Sequence, residues 1–163
     1  MTESILAAQP TVPKLGSDEF FHRARQRLNF NVPAALTDPN IVPTSGDEGT
    51  DRMWKIIAEE NPVRPAAVLI PIVEHDEPTV LLTQRSPHLS SHAGQISFPG
   101  GKIDPTDRSP LDAALREAHE EVGLERNFIE PIGYLDLYAT GLGFRILPTL
   151  ARVKPGFELH INA

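Results

Sequence analysis

From Ala66 the chain turns apolar without alternation: Ala66-Ala67-Val68-Leu69-Ile70-Pro71-Ile72-Val73 is one continuous run. Such a run is the pattern of a buried strand, with Pro71 pointing to a sheet edge or a bulge. The turn-like stretch Glu74 to Pro78 separates it from Thr79–Thr83, a second strand that closes a hairpin. A long loop from Pro87 to Gly101 follows, interrupted by the strand-like Gln95 to Phe98. The period then becomes helical. Leu111, Ala114, Leu115, Ala118 and Val122 fall at i, i+3, i+4, i+7 and i+11, one buried stripe. Ser109 stands at the N-cap, Pro110 at the first helical position, Asp112 where a capping-box acid would, and Gly123 at the left-handed stop. Two more strands, Pro131 to Tyr138 and Phe144 to Val153, meet at Gly141-Leu142-Gly143. Hairpin-paired strands around a central helix predict a mixed α/β sandwich and not a doubly wound sheet.

Upstream of this pattern the chain reads differently. A helix is expected from Ser17, an N-cap followed by Asp18 and Glu19, to Leu28, with Arg23, Arg25 and Arg27 on a solvated face. Pro33 to Gly49 is a loop or linker, and a short helix is expected over Arg52 to Glu59. The division that follows is a helical arm and linker over 1–65 and one domain over 66–163. A chain of 163 residues accommodates that and no second full domain.

Composition narrows the chemistry. With 15 basic and 22 acidic side chains the formal charge is −7, which argues against nonspecific nucleic-acid binding. An anionic substrate would need local cations or metal ions. The absence of cysteine excludes disulfides, thiolate zinc sites and cysteine nucleophiles. No stretch is apolar for the length of a membrane span, and Met1 to Gln9 lacks the pattern of a signal peptide. The expectation is a soluble cytoplasmic protein with no membrane partner.

The helix of residues 109–123 carries more acid than a scaffold needs. Glu117 and Glu121 are one turn apart and Glu120 lies between them, so three carboxylates converge in the last two turns. There, like charges and the macrodipole both disfavour them. One reading is a solvated acidic face. The other is a hard-cation site, since three carboxylates suit Mg²⁺ or Mn²⁺ and no histidine pair accompanies them for zinc. The loop Phe98-Pro99-Gly100-Gly101 favours the second, because paired glycines allow backbone to approach a ligand closely. His119 is expected at the surface, and Leu81 and Leu82 in strand core.

Gly101, Asp107 and Arg116-Glu117-Ala118-His119-Glu120-Glu121-Val122-Gly123-Leu124 resemble the Nudix box, G-x5-E-x7-R-E-U-x-E-E-x-G-U with U aliphatic. Asp107 stands for the first Glu, and eight residues instead of seven separate it from Arg116. The resemblance implies a Nudix-type α/β/α sandwich with a mixed sheet and a central catalytic helix, hydrolysing a diphosphate linked to another group. It further implies metal ligation by Glu117, Glu120, Glu121 and the Gly101 carbonyl, Arg116 orienting the carboxylates, and Mg²⁺ or Mn²⁺ as cofactor. Asp107 is given a supporting role.

Leu81-Leu82-Thr83-Gln84-Arg85-Ser86, Gly94 and Phe98-Pro99-Gly100-Gly101 are similar to the further signature of the coenzyme A diphosphatases, LLTxR(S/A)x3Rx3Gx3FPGG. Ser90 occupies its second arginine position. That branch implies cleavage of coenzyme A or its thioesters to 3′,5′-ADP and the phosphopantetheine portion. Arg85, Gly100, Gly101 and Lys102 would be the substrate contacts. A Nudix hydrolase of another substrate and a non-catalytic Nudix binding module are the alternatives. By analogy with the family a homodimer is expected. Relatives continue into a further strand and a C-terminal helix where this chain reads Phe157 to Ala163, so a C-terminally truncated member is expected.

Overall fold

The computed structural model describes residues 14–47, 62–84 and 94–160. The helix expected over 52–59, Arg85 and the start of the loop from Pro87 lie outside the described residues.

The centre of the fold is a parallel pair. Strand β1 (Arg64–Val73) lies beside β8 (Phe144–Val153) over its full ten residues, from Arg64 opposite Phe144 to Val73 opposite Val153. Strands β2 (Thr79–Val80) and β5 (Gly100–Lys102) share the other side of β1, both antiparallel to it. Strands β6 (Ile129–Tyr134) and β7 (Tyr138–Ala139) divide the far side of β8 in the same way. The sheet order is therefore β2-β1-β8-β6, and it is mixed.

Pro71 marks neither an edge strand nor a bulge, because β1 is central. It accepts a hydrogen bond from the Leu81 N–H at 3.0 Å but has no N–H to return. The β2 ladder therefore ends there, between β2 and β5. That missing donor also corrects the second expected strand, Thr79–Thr83. After Val80 the chain leaves β1, and β3 (Thr83–Gln84) pairs with β4 (Ile96–Ser97) as a separate two-stranded ribbon. Pro148 repeats the device on β8. It accepts from Leu135 at 2.9 Å at the point where β6 gives way to β7, splitting the strand expected over Pro131 to Tyr138.

Helix α1 (Ser17–Arg27) and helix α2 (Pro110–Val122) cover opposite faces of the sheet. On one face Ala113, Ala114, Leu115, Ala118 and Val122 of α2 pack on Ala67, Leu69, Val73, Ala151 and Val153. On the other, Phe21 of α1 is fully buried against Ile72, Ile132 and Leu150. These layers are the expected α/β/α sandwich. The N-cap of α1 is Gly16, one residue before the expected Ser17, whose hydroxyl instead donates to the His75 carbonyl.

Helix α2 is closed at both ends by its own residues. The Ser109 hydroxyl accepts the Asp112 N–H at 3.1 Å. Gly123 ends the helix in the left-handed region at φ 70°, its N–H bonded to the His119 carbonyl. A Cβ on Gly123 would stand 2.9 Å from His160 Cβ. Gly123→Ala is therefore expected to cost about 1–2 kcal/mol, measured as a lower urea midpoint.

The Asp112 carboxylate accepts from Arg126 at 2.8 Å and from the Arg108 N–H at 3.2 Å, and these bonds pull its pKa from 3.8 down to about 2. A depressed carboxylate pKa contributes stability above its unfolded value that disappears on protonation. Stability should therefore fall as the pH drops from about 4 toward 2, and Asp112→Asn should flatten that part of a pH series of urea midpoints.

Candidate active site

The capped helix presents its polar face to β5. Arg116, in the middle of α2, organises everything around it. Its guanidinium grips the Asp107 carboxylate with both ends, Nε to Oδ1 and Nη2 to Oδ2, each at 3.0 Å. The same Nη2 donates to the Lys102 carbonyl at 3.2 Å and lies 3.6 Å from Asp104 Oδ2. Its Nη1 donates to Glu117 Oε1 at 3.0 Å and to Glu120 Oε2 at 3.1 Å. One cation thus ties the loop before the helix to two of the three carboxylates and offsets their mutual repulsion.

Asp107 is buried, with 3% of its side chain exposed, while Glu120 is 57% exposed. The Arg116 pair holds the Asp107 carboxyl below the usual carboxylate range against the opposing effect of burial, and Arg116 is raised in turn. The loop supplies a further anchor: the Asp104 N–H donates to Asp107 Oδ2 at 2.8 Å, and the Asp107 N–H returns to the Asp104 carbonyl at 3.0 Å. Asp104-Pro105-Thr106-Asp107 is a turn sequence with proline at its second position. That signal, legible in the chain, explains how an aspartate at an altered spacing reaches the arginine.

The third carboxylate faces backbone. Glu121 Oε2 accepts the Gly100 N–H at 3.3 Å. Glu117 lies over Gly101, where a Cβ would stand 2.5 Å from its Oε1. A side chain at position 101 would push the Glu117 carboxylate out of that place. Gly100 is packed from beneath, a Cβ on it standing 2.5 Å from the Ala67 carbonyl.

Strand alternation separates the roles of the two glycines. Leu69 N–H bonds to the Pro99 carbonyl at 2.8 Å and Ile103 N–H to the Pro65 carbonyl at 3.1 Å. Ala67 and Gly101, midway in that register, are thereby the hydrogen-bonded pair between them, and the Gly101 carbonyl is turned to β1. Gly100 and Lys102 turn their backbone groups the other way, as their bonds to Glu121 and Arg116 confirm. The Gly101 carbonyl is therefore turned away from the acids, and Gly101 contributes clearance.

The remaining expected residues divide. The structure brings Arg116, Glu117, Glu120, Glu121, Gly100 and Gly101 together. Lys102 joins through its carbonyl, with its residue exposed. Arg85 lies outside the described residues, and His119 is exposed as expected. Leu81 is partly buried against the core, but Leu82 is 46% exposed, which corrects its expected place in the strand core. Its strand leaves the main sheet after Val80, carrying Leu82 away from the core.

Among the described residues, no three Asp, Glu or His side chains already stand together as a metal cluster. The donor set nevertheless fits a hard cation. Glu117 and Glu121 are oxygen donors at one glycine edge of β5, and Gly101 has no side chain to fill the space beside them.

Residues 63–158 match the NUDIX domain family. The chain is 48% identical over 99 residues to a protein of Escherichia fergusonii named Uncharacterized Nudix hydrolase NudL, covering 61% of this chain and 52% of that one. To the protein of the same name from Escherichia coli K12 it is 50% identical over 92 residues, covering 56% and 48%. The chain spans about half the length of the curated relatives it matches. Among solved structures, a Nudix hydrolase from M. Smegmatis, RenU, superposes with a TM-score of 0.50 at 22% identity, over 60% of this chain and 63% of that one. That likeness is one of fold. No helix among the described residues is long and apolar enough to cross a membrane.

Proposed function

The chain belongs to the NUDIX family, and from that premise we propose that it hydrolyses the diphosphate bond of coenzyme A or a coenzyme A thioester, giving 3′,5′-ADP and the phosphopantetheine portion. The observation that carries the reading is the pair Glu117 and Glu121 at the glycine edge of β5, the first held by the Arg116–Asp107 clamp and the second by the Gly100 N–H. Carboxylates kept close together at a cost in repulsion are a poor scaffold and a good cation site. Glu117 and Glu121, joined by Glu120 and the Gly100 carbonyl, would hold Mg²⁺ or Mn²⁺. Bound there, the metal would neutralise charge on the phosphate oxygens and activate water.

The chain's own residues do the rest. Arg116 fixes the rotamers of Glu117 and Glu120 and spreads their charge. The Gly100 N–H fixes Glu121. Lys102, exposed at the end of β5, and Arg85, in the segment that follows β3, are assigned to the diphosphate. The choice of coenzyme A rests on the Leu81 to Gly101 signature, and the reading carries with it a cytoplasmic setting and a homodimer. Incubating the protein with coenzyme A and Mg²⁺ or Mn²⁺ should yield 3′,5′-ADP on chromatography. If other nucleoside diphosphate derivatives are hydrolysed and coenzyme A is not, the substrate assignment falls. A folded protein that turns over none of them is a binding module.

A further inference from the structure

Helix α2 meets the sheet largely through alanines. Ala113, Ala114 and Ala118 are fully buried in one cluster with Ala67 and Ala151. Side chains of that size make shallow ridges, so packing fixes the position of α2 along its own axis only loosely. The acids need that position fixed closely. Glu121 Oε2 stands 3.3 Å from the Gly100 nitrogen. That is the long end of the N–H···O range, and a slip of about 0.3 Å would lose the bond.

A directional tie stands at the start of the helix. The Tyr134 hydroxyl accepts the Leu111 N–H at 3.2 Å, a first-turn donor with no carbonyl partner inside α2. Ser109, which serves Asp112, acts within its own turn. Tyr134 instead stands on β6, separated from β5 by β1 and β8. Its side chain is itself held. The Tyr134 N–H bonds to the Asn29 carbonyl at 2.8 Å, and Phe30 packs edge-on to the ring at 5.5 Å between centroids. Leu36, Leu137 and Leu147 share its buried cluster. At the other end of α2 the His160 N–H bonds to the Val122 carbonyl at 2.9 Å, but His160 belongs to the segment after β8 and not to the sheet.

We propose that Tyr134 is a positioning residue for the acidic site: its hydroxyl sets where α2 lies along the sheet, and so where Glu117 and Glu121 stand against β5. The two carboxylates are about 9 and 15 Å along the helix from Leu111, at 1.5 Å per residue. A slip at the first turn of a continuous helix carries both with it. Residues ahead of the sheet thereby take part, since Asn29 and Phe30 hold the side chain that holds the helix. The proposal rests on the reading of these acids as a divalent-cation site and is independent of coenzyme A as the substrate.

The test compares Tyr134→Phe, which removes the hydroxyl and keeps the ring, with Phe21→Leu, which loosens α1 on the opposite face of the sheet. Both should lower the melting temperature by a similar amount, about 3–5 °C. Mn²⁺ binding, read from the electron paramagnetic resonance signal of the free ion, should weaken about tenfold in Tyr134→Phe and less than about twofold in Phe21→Leu. A merely structural role for Tyr134 predicts equal effects in the two variants. Affinity that Tyr134→Phe leaves within about twofold of the parent, or that Phe21→Leu weakens as much, overturns the proposal and leaves the cation site standing. A folded parent that binds no Mn²⁺ overturns the cation site and the proposal with it.

Discussion

Glu121→Gln should lower turnover of the diphosphate substrate by about 100-fold or more while leaving the fold intact. The substitution is chosen for what it keeps. Glutamine has the same length and one carbonyl oxygen, so it can still accept the Gly100 N–H that Glu121 accepts at 3.3 Å. What it removes is a negative charge, and with it a ligand for a divalent cation. A drop in kcat at unchanged thermal stability is the expected result, read by chromatographic product formation beside a melting curve. Activity within a few-fold of the parent would remove Glu121 from the metal set. Because one of the three clustered acids becomes neutral, repulsion along α2 falls, so a slight gain in stability is compatible with the loss of activity.

The second large effect is expected at Asp107, where stability and activity should fall together. Both of its oxygens accept from Arg116 at 3.0 Å, and one also accepts the Asp104 N–H at 2.8 Å. In Asp107→Asn an amide NH₂ must replace one acceptor, directing donor against donor at a buried position. The cost is about 2–3 kcal/mol for a charge-assisted pair, or a melting temperature lower by about 5–10 °C. Arg116 would then lean more on Glu117 and Glu120, and their changed orientation should reduce kcat by about 10–100-fold. Asp104→Asn is the control. Its carboxylate is 3.6 Å from Arg116 and more than half exposed, so it should shift stability by less than about 0.5 kcal/mol. Equal effects at the two positions would refute the clamp.

The parts legible in the sequence were those whose chemistry is local. Helix α2 was readable from end to end because Ser109, Pro110 and Gly123 each act within one turn of themselves. Helical spacing puts Glu117, Glu120 and Glu121 in the same two turns, but not their partners: Glu117 and Glu120 meet at Arg116 while Glu121 turns to the Gly100 N–H. What could not be read depends on residues far away in the chain. Pro71 looked like a mark of an edge, since nothing nearby reveals that β8 occupies the other side of β1. Leu82 reads as core because the strand it extends is continuous in pattern; the missing N–H of Pro71 that diverts it is eleven residues upstream, on another strand. The turn at Asp104–Asp107 was present in the sequence as a proline-containing pattern, but its meaning came only from the arginine it feeds. The family resemblance gives the Gly101 carbonyl to the metal, whereas the alternation of β5 turns it to Ala67.

The parallel pair at the centre of the sheet has a consequence for how the molecule assembles. Arg64 meets Phe144, and 144 − 64 is a separation of 80 residues, repeated at every step to Val73 and Val153. The acidic helix, its glycine edge and the Asp107 turn all lie within that separation. A contact of such long range closes late and slowly, since the entropy of joining its ends must be met before the pairing stabilises anything. During synthesis the residues of the site leave the ribosome before the strand that braces β1 exists. β1 can meet β2, β5 and α2 first, as a half-sheet with its inner edge bare, and only the arrival of β8 covers that edge. The half of this protein that carries the acidic helix is therefore made early and secured last, and the interval between is when an open apolar edge is exposed to other chains.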